Sequence, residues 1–303
     1  MHTKEVGKNL FLIDLETGGF RNLIASYVVK GDKIAIVETG PTSSIGNIET
    51  GLEELGVEPK DVTYVFVSHV HIDHSGGAGT LLASLPNAKV IVHQRGAPHL
   101  INPAKLWAAS KVILGNVAEM LGEPQSIPEE RIVVASEGMT FDLGKGLKLK
   151  AVETPGHAAH SLAYHEHLNN GVFPGDSAGA YLPKFDTVFP TTPPPFRPDA
   201  ALVSLEKLIN LAPKVLFYSH FGPASDAVRR LREYEVQIKR WLNIVEEGVN
   251  HGDSEKAIRE AVLRQDETIQ KVVPTLKANP LDRRTLIENS VQGFIEFAIN
   301  PQI

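Results

Sequence analysis

Cysteine is absent from this chain, and its absence restricts the chemistry that the protein can perform. None of the 303 residues is a cysteine, so the chain cannot form a disulfide, a thiolate zinc site or a cysteine nucleophile. It does contain 12 histidines and 36 aspartates and glutamates. Any metal ion must therefore be held by imidazole and carboxylate groups.

Long apolar runs and a surplus of basic residues are missing as well. No stretch approaches the roughly 18 apolar residues of a membrane span, and the N-terminus shows no basic segment followed by a long apolar run. The formal net charge is -6, and no dense run of Lys or Arg gives an electrostatic reason to bind nucleic acid or an anionic membrane. We expect a soluble, cytoplasmic protein whose partner is a small-molecule substrate.

The spacing of apolar residues predicts an α/β fold. Predicted helices alternate with predicted strands after Gly40, and the second half of the chain repeats the theme. The predicted helices cover Ile45 to Leu55, Ala78 to Leu85 and Asp199 to Leu211, the last capped by Asp199, and Gly96 to Gly122 is mainly a helical or irregular cover. The predicted strands cover Leu10 to Leu15, Ile24 to Val29, Lys33 to Val37, Tyr64 to Val67, Lys89 to His93, Ile132 to Val134, Leu147 to Val152, Ser161 to His165, Gly171 to Phe173 and Val215 to Ser219.

The C-terminal part of the chain follows helical spacing almost without interruption. The helical stretches run through Trp241 to Val249, Glu255 to Val273 and Arg283 to Ile299. The pattern predicts a domain at 1–223 that holds the chemistry and a helical extension or cover at 224–303. A stripe with Trp241 and Val245 can contact a second subunit in a homodimer, although such a stripe is more often core.

The segment that carries the chemistry is Ser68-His69-Val70-His71-Ile72-Asp73-His74-Ser75-Gly76-Gly77. It begins where a predicted strand ends, which is the usual place for function in α/β folds. His69 and His71, two positions apart in an extended segment, project the same way towards a first metal ion. Asp73 and His74 follow where the chain turns, so they face a second ion. Packing alone does not explain so many polar side chains in six positions, since each buried imidazole needs a hydrogen-bond partner.

Four side chains cannot complete two metal sites, so further ligands are required at later strand ends. Three candidates stand in suitable places. His157 follows the strand that begins at Leu147, Asp176 follows the strand that ends at Phe173, and His220 follows the last predicted strand. These seven residues form the predicted metal-binding set.

In these residues the chain resembles the metallo-β-lactamase superfamily, whose pattern is HxHxDH followed in order by a His, an Asp and a His. The resemblance spans roughly residues 8 to 222. It implies a four-layer αββα sandwich with a helical C-terminal extension. It also implies the ligand assignment, in which His69, His71 and His157 bind one metal ion, Asp73, His74 and His220 bind a second, and Asp176 bridges them.

The resemblance implies a binuclear hydrolase in which a hydroxide held by the two metal ions attacks an ester, with Asp73 and Asp176 able to accept or relay a proton. Zinc is the expected metal, and iron or manganese also suit an all-nitrogen and oxygen ligand set. The expected substrates are phosphoesters, lactones or other carboxylic esters. The chain is most similar to a group of often archaeal hydrolases with a helical C-terminus.

Differences between this sequence and related groups of proteins reduce the number of candidate activities. Two-zinc β-lactamases commonly use a Cys near the position of Asp176, and this chain has none. Oxygen-reducing flavodiiron proteins carry HxExDH and a flavodoxin domain, whereas His71 stands here in place of that Glu. Three alternatives stay open: a persulfide dioxygenase with one iron, a thioester hydrolase like glyoxalase II, and a non-catalytic binding protein, which the complete ligand set disfavours.

The aromatic residues after Asp176 are candidate substrate contacts. Tyr181, Phe185 and Phe196 lie in a segment interrupted by several prolines, which stiffen a loop at little entropic cost. Such a loop can hold an aromatic wall over the metal ions, or the rings can simply anchor the loop to the core. His160, three positions after His157, can contact a metal ligand or the substrate, although a structural role is favoured.

Overall fold

The structure, a computed structural model, describes residues 2–276 and 287–301. The chain forms two compact units that interleave along the sequence. The first unit comprises Met1–Glu153, His160–Gly175 and Lys214–Ser225, and the second comprises Thr154–Ala159, Asp176–Pro213 and Asp226–Ile303. The predicted domains at 1–223 and 224–303 are consecutive segments, so this division differs from them by grouping two internal segments with the C-terminal helices.

The first unit contains a seven-stranded sheet whose strands are neighbours in chain order. They are β1 (Thr3–Gly7), β2 (Leu10–Asp14), β3 (Ala25–Lys30), β4 (Ile34–Val37), β5 (Val62–Phe66), β6 (Lys89–His93) and β7 (Ile132–Ala135). The strands β1 to β4 pair antiparallel, whereas β4 to β7 pair in parallel. The carboxyl ends of β4 to β7 therefore lie at one edge of the sheet.

Six helices belong to the first unit. They are α1 (Ile45–Glu54), α2 (Ile72–Ser75), α3 (Ala78–Ser84), α4 (Ala97–Ile101), α5 (Ala104–Leu114) and α6 (Asn116–Leu121). The helices α1 and α3 bury Ile48 and Leu81 against one face of the seven-stranded sheet, where Val65 of β5 joins the same apolar cluster. A smaller cluster around Trp107 joins α2, α5 and α6.

A six-stranded sheet completes the first unit, in the order β15, β14, β11, β10, β9, β8. Its strands are β8 (Thr140–Gly144), β9 (Leu147–Glu153), β10 (Leu162–Glu166), β11 (Gly171–Phe173), β14 (Val215–Tyr218) and β15 (Gly222–Ser225). Since β10 is antiparallel to both β9 and β11, and β11 is parallel to β14, the strands β9, β11 and β14 all run in the same direction. Their carboxyl ends lie at one edge of this sheet.

The main core of the first unit lies between the two sheets. Alternate residues of β3 point to opposite faces, so Tyr27 and Val29 join the cluster between the sheets while Val28 joins the cluster under the helices. Phe66 of β5 and Tyr164 of β10 meet edge to face there, with ring centroids 5.0 Å apart. The sheets thus pack as apolar layers filled by aromatic rings.

Two tyrosine hydroxyls join the sheets by hydrogen bonds that run in opposite directions. Tyr27 of β3 donates to the backbone oxygen of Tyr218 in β14 at 2.6 Å, and Tyr164 of β10 donates to the backbone oxygen of Val67, just after β5, at 2.8 Å. Burial raises the pKa of both phenols, and the nearby charge of Glu38 raises it further. Both hydroxyls therefore remain neutral donors that fix the ends of β5 and β14.

The second unit consists of helices and a short hairpin. Its elements are β12 (Ala180–Leu182), β13 (Thr187–Phe189), α7 (Pro198–Asn210), α8 (Ala227–His251), α9 (Glu255–Gln265), α10 (Glu267–Leu276) and α11 (Asn289–Ile299). Trp241 of α8 is fully buried and donates through Nε1 to the carboxylate of Asp266, 2.6 Å away. Asp266 also accepts from the backbone nitrogen atoms of Thr268 and Ile269, so it holds α8 against the start of α10.

The comparison with the sequence prediction is favourable for the long apolar elements. The ten predicted strands and three predicted helices are present within one or two residues of the predicted ends, and the stripe containing Trp241 is core. The sequence reading did not predict β1, β8, β12, β13 and β15, which are short or largely polar. Positions 283–286 of the last predicted helix lie outside the described residues. No helix within 2–276 and 287–301 has the length and apolar character needed to cross a membrane.

The predicted cap of α7 was wrong. The helix begins at Pro198, and its N-cap position is Arg197, which makes no capping hydrogen bond through its side chain. Asp199 lies in the first turn instead and accepts a hydrogen bond from the Arg197 guanidinium at 2.7 Å. The helix starts one residue earlier than predicted, at Pro198, because proline suits the first helical position, where its missing N–H is not needed.

We expect Tyr27→Phe to lower the free energy of unfolding by about 1–3 kcal/mol, because the buried oxygen of Tyr218 loses its hydrogen bond. Urea denaturation followed by circular dichroism measures the change. Tyr64→Phe is the matched control, since among the described residues the Tyr64 hydroxyl has no hydrogen-bond partner while its ring packs on Phe66 and Phe141. Equal effects of the two substitutions would contradict the role of the Tyr27 hydroxyl.

Candidate metal centre

The segment after β5 carries four candidate ligands, His69, His71, Asp73 and His74, within six positions of a short, tightly packed turn. The chain stays extended through His71, and α2 then presents Asp73 and His74. Gly77 has a helical φ, so its need for glycine is spatial: a Cβ there would lie 2.3 Å from the Cδ1 atom of Ile45. Gly77 therefore permits close packing of this turn against α1.

Asp73, His74 and His220 bring three ligand atoms together within the first unit. The two Nε2 atoms of His74 and His220 lie 3.2 Å apart. The Oδ2 atom of Asp73 lies 3.4 Å from Nε2 of His220 and 3.8 Å from Nε2 of His74. His74 is fully buried, whereas the Asp73 side chain is 31% exposed.

The hydrogen bonds of the Nδ1 atoms of His74 and His220 determine which nitrogen of each imidazole is available to a metal ion. Nδ1 of His74 lies 2.9 Å from a carboxylate oxygen of Glu38, and Nδ1 of His220 lies 3.1 Å from the backbone oxygen of Leu23. Both partners only accept, so each Nδ1 carries a proton and each Nε2 is the atom left to bind a metal ion. Two Nε2 lone pairs and the Asp73 carboxylate in this arrangement repel one another unless a positive charge lies among them.

The spacing of these atoms fits a divalent metal ion. Zinc bonds to imidazole nitrogen at about 2.0–2.1 Å in tetrahedral geometry, which places neighbouring ligand atoms roughly 3.3 Å apart. The separations of 3.2–3.8 Å among Asp73, His74 and His220 agree with that value. The residues present therefore suit the metal ion that the sequence motif predicts.

His69 and His71 form a second pair of donors in the same unit. Nε2 of His69 lies 3.0 Å from Nδ1 of His71, and Nδ1 of His69 lies 2.9 Å from the hydroxyl of Ser68. The His69 ring also packs against the His74 ring, with centroids 4.1 Å apart. The two histidines of the HxH pattern thus stand together beside the Asp73 and His74 pair, as the spacing predicts.

Glu38 is a candidate functional residue that the sequence reading missed. Its carboxylate is buried, accepts from the backbone nitrogen of Ser68 at 2.8 Å and contacts His74 at 2.9 Å. A carboxylate in this position keeps the proton on the outer nitrogen of a metal-binding histidine and fixes the ring orientation. A signal was available, because Glu38 directly follows β4 and β4 is the parallel neighbour of β5.

The backbone of Glu38 is held in a conformation that side chains other than glycine rarely adopt. Its φ is 66°, in the left-handed region. Its backbone nitrogen donates to the oxygen of Phe66 at 2.8 Å, and its own oxygen accepts from the hydroxyl of Ser26 at 2.7 Å. These contacts stabilise the unusual conformation that turns the carboxylate towards Ser68 and His74.

His157 and Asp176 lie close together within the second unit. Nδ1 of His157 donates to the backbone oxygen of Thr191 at 2.6 Å, so its Nε2 offers a lone pair, and that atom lies 3.8 Å from Oδ2 of Asp176. Tyr234 lines the same small cavity. Burial raises the pKa of Tyr234, and the nearby Asp176 raises it further. This pair repeats the pattern of an imidazole lone pair facing a carboxylate.

The chain positions of the later candidates follow the sheet topology. His157, Asp176 and His220 come after β9, β11 and β14, which run in the same direction and end at the same edge of the six-stranded sheet. Gly175, just before Asp176, has a φ of 53°, and a Cβ there would lie 2.5 Å from the side chain of Ser68. Only glycine permits this approach of the β11 end to the start of the histidine segment.

The three predicted substrate contacts have different surroundings. Tyr181 is buried, donates from its hydroxyl to Asp186 at 2.9 Å, and has the Arg230 guanidinium 4.7 Å from its ring centroid. Phe196 is buried beside the His157 and Asp176 cavity, and Phe185 is half-buried in a separate groove of the second unit. The hydroxyl of Tyr181 is thus engaged within the unit, and contact of any of the three with substrate stays a prediction.

His160 lies beside the histidine segment. Its ring centroid is 6.4 Å from those of His69, His71 and His99. The sequence reading favoured a structural role for His160 over contact with metal ligands or substrate. The structure places His160 near the pair His69 and His71. Contact of His160 with a metal ligand or with substrate stays a prediction.

Comparison with known proteins identifies the family of this chain. Residues 20–220 match the family described as the metallo-beta-lactamase superfamily. The chain is 30% identical, over 230 residues, to the metallo-beta-lactamase fold-containing protein ST1585 of Sulfurisphaera tokodaii, which covers 72% of this chain and 83% of that protein. It is also 27% identical over 224 residues to a putative diflavin flavoprotein A 1 of Thermosynechococcus vestitus, and spans 69% of this chain but 34% of that protein.

The fold has a solved counterpart. The crystal structure of ST1585 from Sulfolobus tokodaii, described as an archaeal metallo-beta-lactamase superfamily protein, has a TM-score of 0.70 to this structure at 24% identity. The match covers 96% of this chain and 100% of that chain. The predicted α/β fold with two sheets and a helical C-terminal part is therefore confirmed.

We expect Glu38→Gln to weaken zinc binding by about 10-fold to 100-fold, because the amide no longer holds His74 in the correct tautomer. Competition with a chromogenic chelator measures the affinity. Glu166→Gln is the matched control: Glu166 is also a fully buried carboxylate of the first unit, but it accepts from the backbone of Leu168 and Asn169 in the β10–β11 hairpin. Unchanged zinc affinity in Glu38→Gln would contradict the role assigned to this carboxylate.

Proposed function

This chain belongs to the metallo-β-lactamase superfamily, and we propose that it is a binuclear metal-dependent hydrolase of ester bonds. Membership of the superfamily, together with the histidine and aspartate cluster, supports a metallo-hydrolase. The observation that carries the proposal is the convergence of the Asp73, His74 and His220 ligand atoms at the spacing of a tetrahedral ion. The number of metal ions, their identity and the ester substrate are parts of the proposal.

The proposed ligand set comprises all seven residues of the family pattern. His69, His71 and His157 hold one divalent ion, Asp73, His74 and His220 hold the other, and Asp176 is shared. The pattern HxHxDH is complete, and every later ligand follows the carboxyl end of a strand. With no cysteine in the chain, all donors are nitrogen and oxygen atoms, which suits zinc and also accepts iron or manganese.

The protein groups have separate tasks in the proposed reaction. Two divalent ions bound here would polarise the substrate oxygen and lower the pKa of an attacking water molecule towards neutrality. Asp73, the more exposed carboxylate at 31%, can take a proton from water that reaches the site. Asp176 is buried beside His157 and can relay a proton only through groups in contact with it. Glu38 keeps the proton of His74 on its outer nitrogen.

The substrate class we favour is a phosphoester or a lactone. His71 replaces the Glu that the flavodiiron pattern carries. This replacement favours hydrolysis over oxygen reduction. The absence of cysteine disfavours β-lactam hydrolysis of the two-zinc type as the main activity.

We expect His69→Ala and Asp176→Asn each to abolish hydrolysis while the far-ultraviolet circular dichroism spectrum stays unchanged. The reason is that each substitution removes one metal donor without removing apolar core volume. His251→Ala and Asp61→Asn, at exposed positions outside the ligand set, serve as matched controls and retain full activity. Full activity of either ligand variant at normal metal content would contradict the mechanism.

Elemental analysis of protein purified without chelator tests the metal content. We expect about two metal ions per chain, with hydrolysis of at least one substrate among phosphodiester, phosphotriester, lactone and thioester probes. Activity confined to the thioester would instead support the glyoxalase II-like alternative. One iron per chain, oxygen consumption with persulfide and no hydrolysis would replace the proposal with a dioxygenase.

A further inference from the structure

The second unit contains a groove that the proposed hydrolysis does not use. Its volume is about 550 Å³, and the β12–β13 hairpin, α8 and α10 form its walls. None of the seven proposed metal ligands lines it. A volume of this size falls within the range of about 300–1,000 Å³ that is usual for small-molecule sites.

The charged side chains of the groove are mostly basic. Among the residues that the structure describes, four cations line it, Arg229, Arg232, Arg240 and Lys271, and two anions, Asp186 and Glu233. The excess is two positive charges in a chain whose net charge is -6. The groove is therefore a local positive region on a protein that is negative as a whole.

Both groove anions are already engaged with arginines. Asp186 accepts from Arg230, whose buried side chain is 3% exposed, and this hydrogen bond holds the pKa of Asp186 below its ordinary value. Glu233 accepts from Arg229 at 2.6 Å, one turn earlier on α8. Neither anion remains to neutralise the cations further along the groove.

Arg240 and Lys271 are the groove cations that have no partner within the described part of the chain. Arg232 is paired with Glu206 and Glu235. By contrast, no carboxylate, hydrogen-bond acceptor or aromatic ring among the described residues contacts the side chain of Arg240 or Lys271. These two exposed cations face the groove from α8 and α10, so they are available to an anion.

The groove also offers apolar contacts between its charges. Val236 of α8 is 54% exposed, although most of the large apolar side chains of that helix are buried. Val188 and Phe185 of the hairpin also line the groove. An apolar wall next to two unpaired cations matches a ligand that has an apolar body and an anionic head.

We propose that this groove binds a small organic anion with an apolar body, held by Arg240 and Lys271 at its charged end and by Val236 and Phe185 along its apolar part. The site is independent of the proposed hydrolysis. The groove volume favours a small molecule over a macromolecule, since a stable protein interface needs a far larger contact area. Charge-assisted hydrogen bonds supply the specificity for the anionic group.

Isothermal titration of the full metal-loaded chain with naphthalene-2-sulfonate tests this assignment. We expect saturable binding that weakens at least about tenfold in the double variant Arg240→Ala/Lys271→Ala, because two hydrogen bonds to charged donors are lost. Naphthalene-2-sulfonamide, which keeps the ring and lacks the charge, is expected to bind at least about tenfold more weakly to the parent chain. Val236→Ser is expected to weaken sulfonate binding by a smaller factor.

The matched control is the double variant Lys256→Ala/Arg264→Ala. It removes the same charge from exposed positions of α9 that do not line the groove, and we expect it to bind the sulfonate like the parent. Equal weakening in both double variants would show a bulk charge effect and overturn the proposal. Unchanged binding in Arg240→Ala/Lys271→Ala, equal affinity for the sulfonamide, or no saturable binding by the parent would overturn it as well.

Discussion

The hydrogen bond between the buried carboxylate of Glu38 and Nδ1 of His74 determines which ring nitrogen of His74 faces the candidate metal centre. It keeps the proton on the outer nitrogen, so that Nε2 turns a lone pair towards Asp73 and His220. The same carboxylate accepts from the backbone nitrogen of Ser68 and thereby fixes the start of the histidine segment. One buried charge therefore sets both the tautomer of a ligand and the path of the loop that carries it.

That interaction depends on the parallel pairing of β4 and β5. Adjacent parallel strands end at the same sheet edge, which places Glu38 beside the segment that follows Phe66. The left-handed backbone of Glu38 carries a conformational cost, and hydrogen bonds from its neighbours offset that cost. Strain at this position is consistent with the general finding that rare backbone conformations persist where the surroundings over-determine them.

The apolar interior keeps these strand ends in register. The edge-to-face rings of Phe66 and Tyr164 fill the space between the sheets, and the hydroxyls of Tyr27 and Tyr164 each join one sheet to the backbone of the other. A shift of either sheet would leave these buried hydroxyls without acceptors, at a cost of about 1–3 kcal/mol each. The centre is thus positioned by packing and by polar contacts buried within that packing.

In the second unit, two arginines of the same helix differ in burial and in whether a carboxylate contacts them. Arg230 is buried, stacks on Tyr181 and is neutralised by Asp186, so it contributes to the fold of the hairpin. Arg240, ten residues further along α8, is exposed and faces the groove. Helix α8 therefore presents one guanidinium as a structural element and another as a binding group, and the difference comes from burial and the presence of a carboxylate.

The sequence by itself determined the elements with strong apolar periodicity and the ligand types of the site. The strand from Lys89 to His93 and the segment from His69 to His74 could be identified because residue spacing encodes which side chains share a face. The absence of cysteine alone limited the donors to nitrogen and oxygen. Short or polar strands such as β1 and β15 escaped prediction, because pairing with a neighbour rather than their own pattern makes them strands.

Only the tertiary structure decided which residues that are far apart in the chain lie at the same site. Glu38 is 36 positions from His74, and Arg240 is 31 positions from Lys271, so no local pattern marks either pair. The start of α7 at Pro198 rather than Asp199, and the engagement of the Tyr181 hydroxyl by Asp186, depend on neighbours in space. Spacing along a chain specifies which side chains share one face of a helix or strand. Contact between elements follows instead from how the sheets and helices pack.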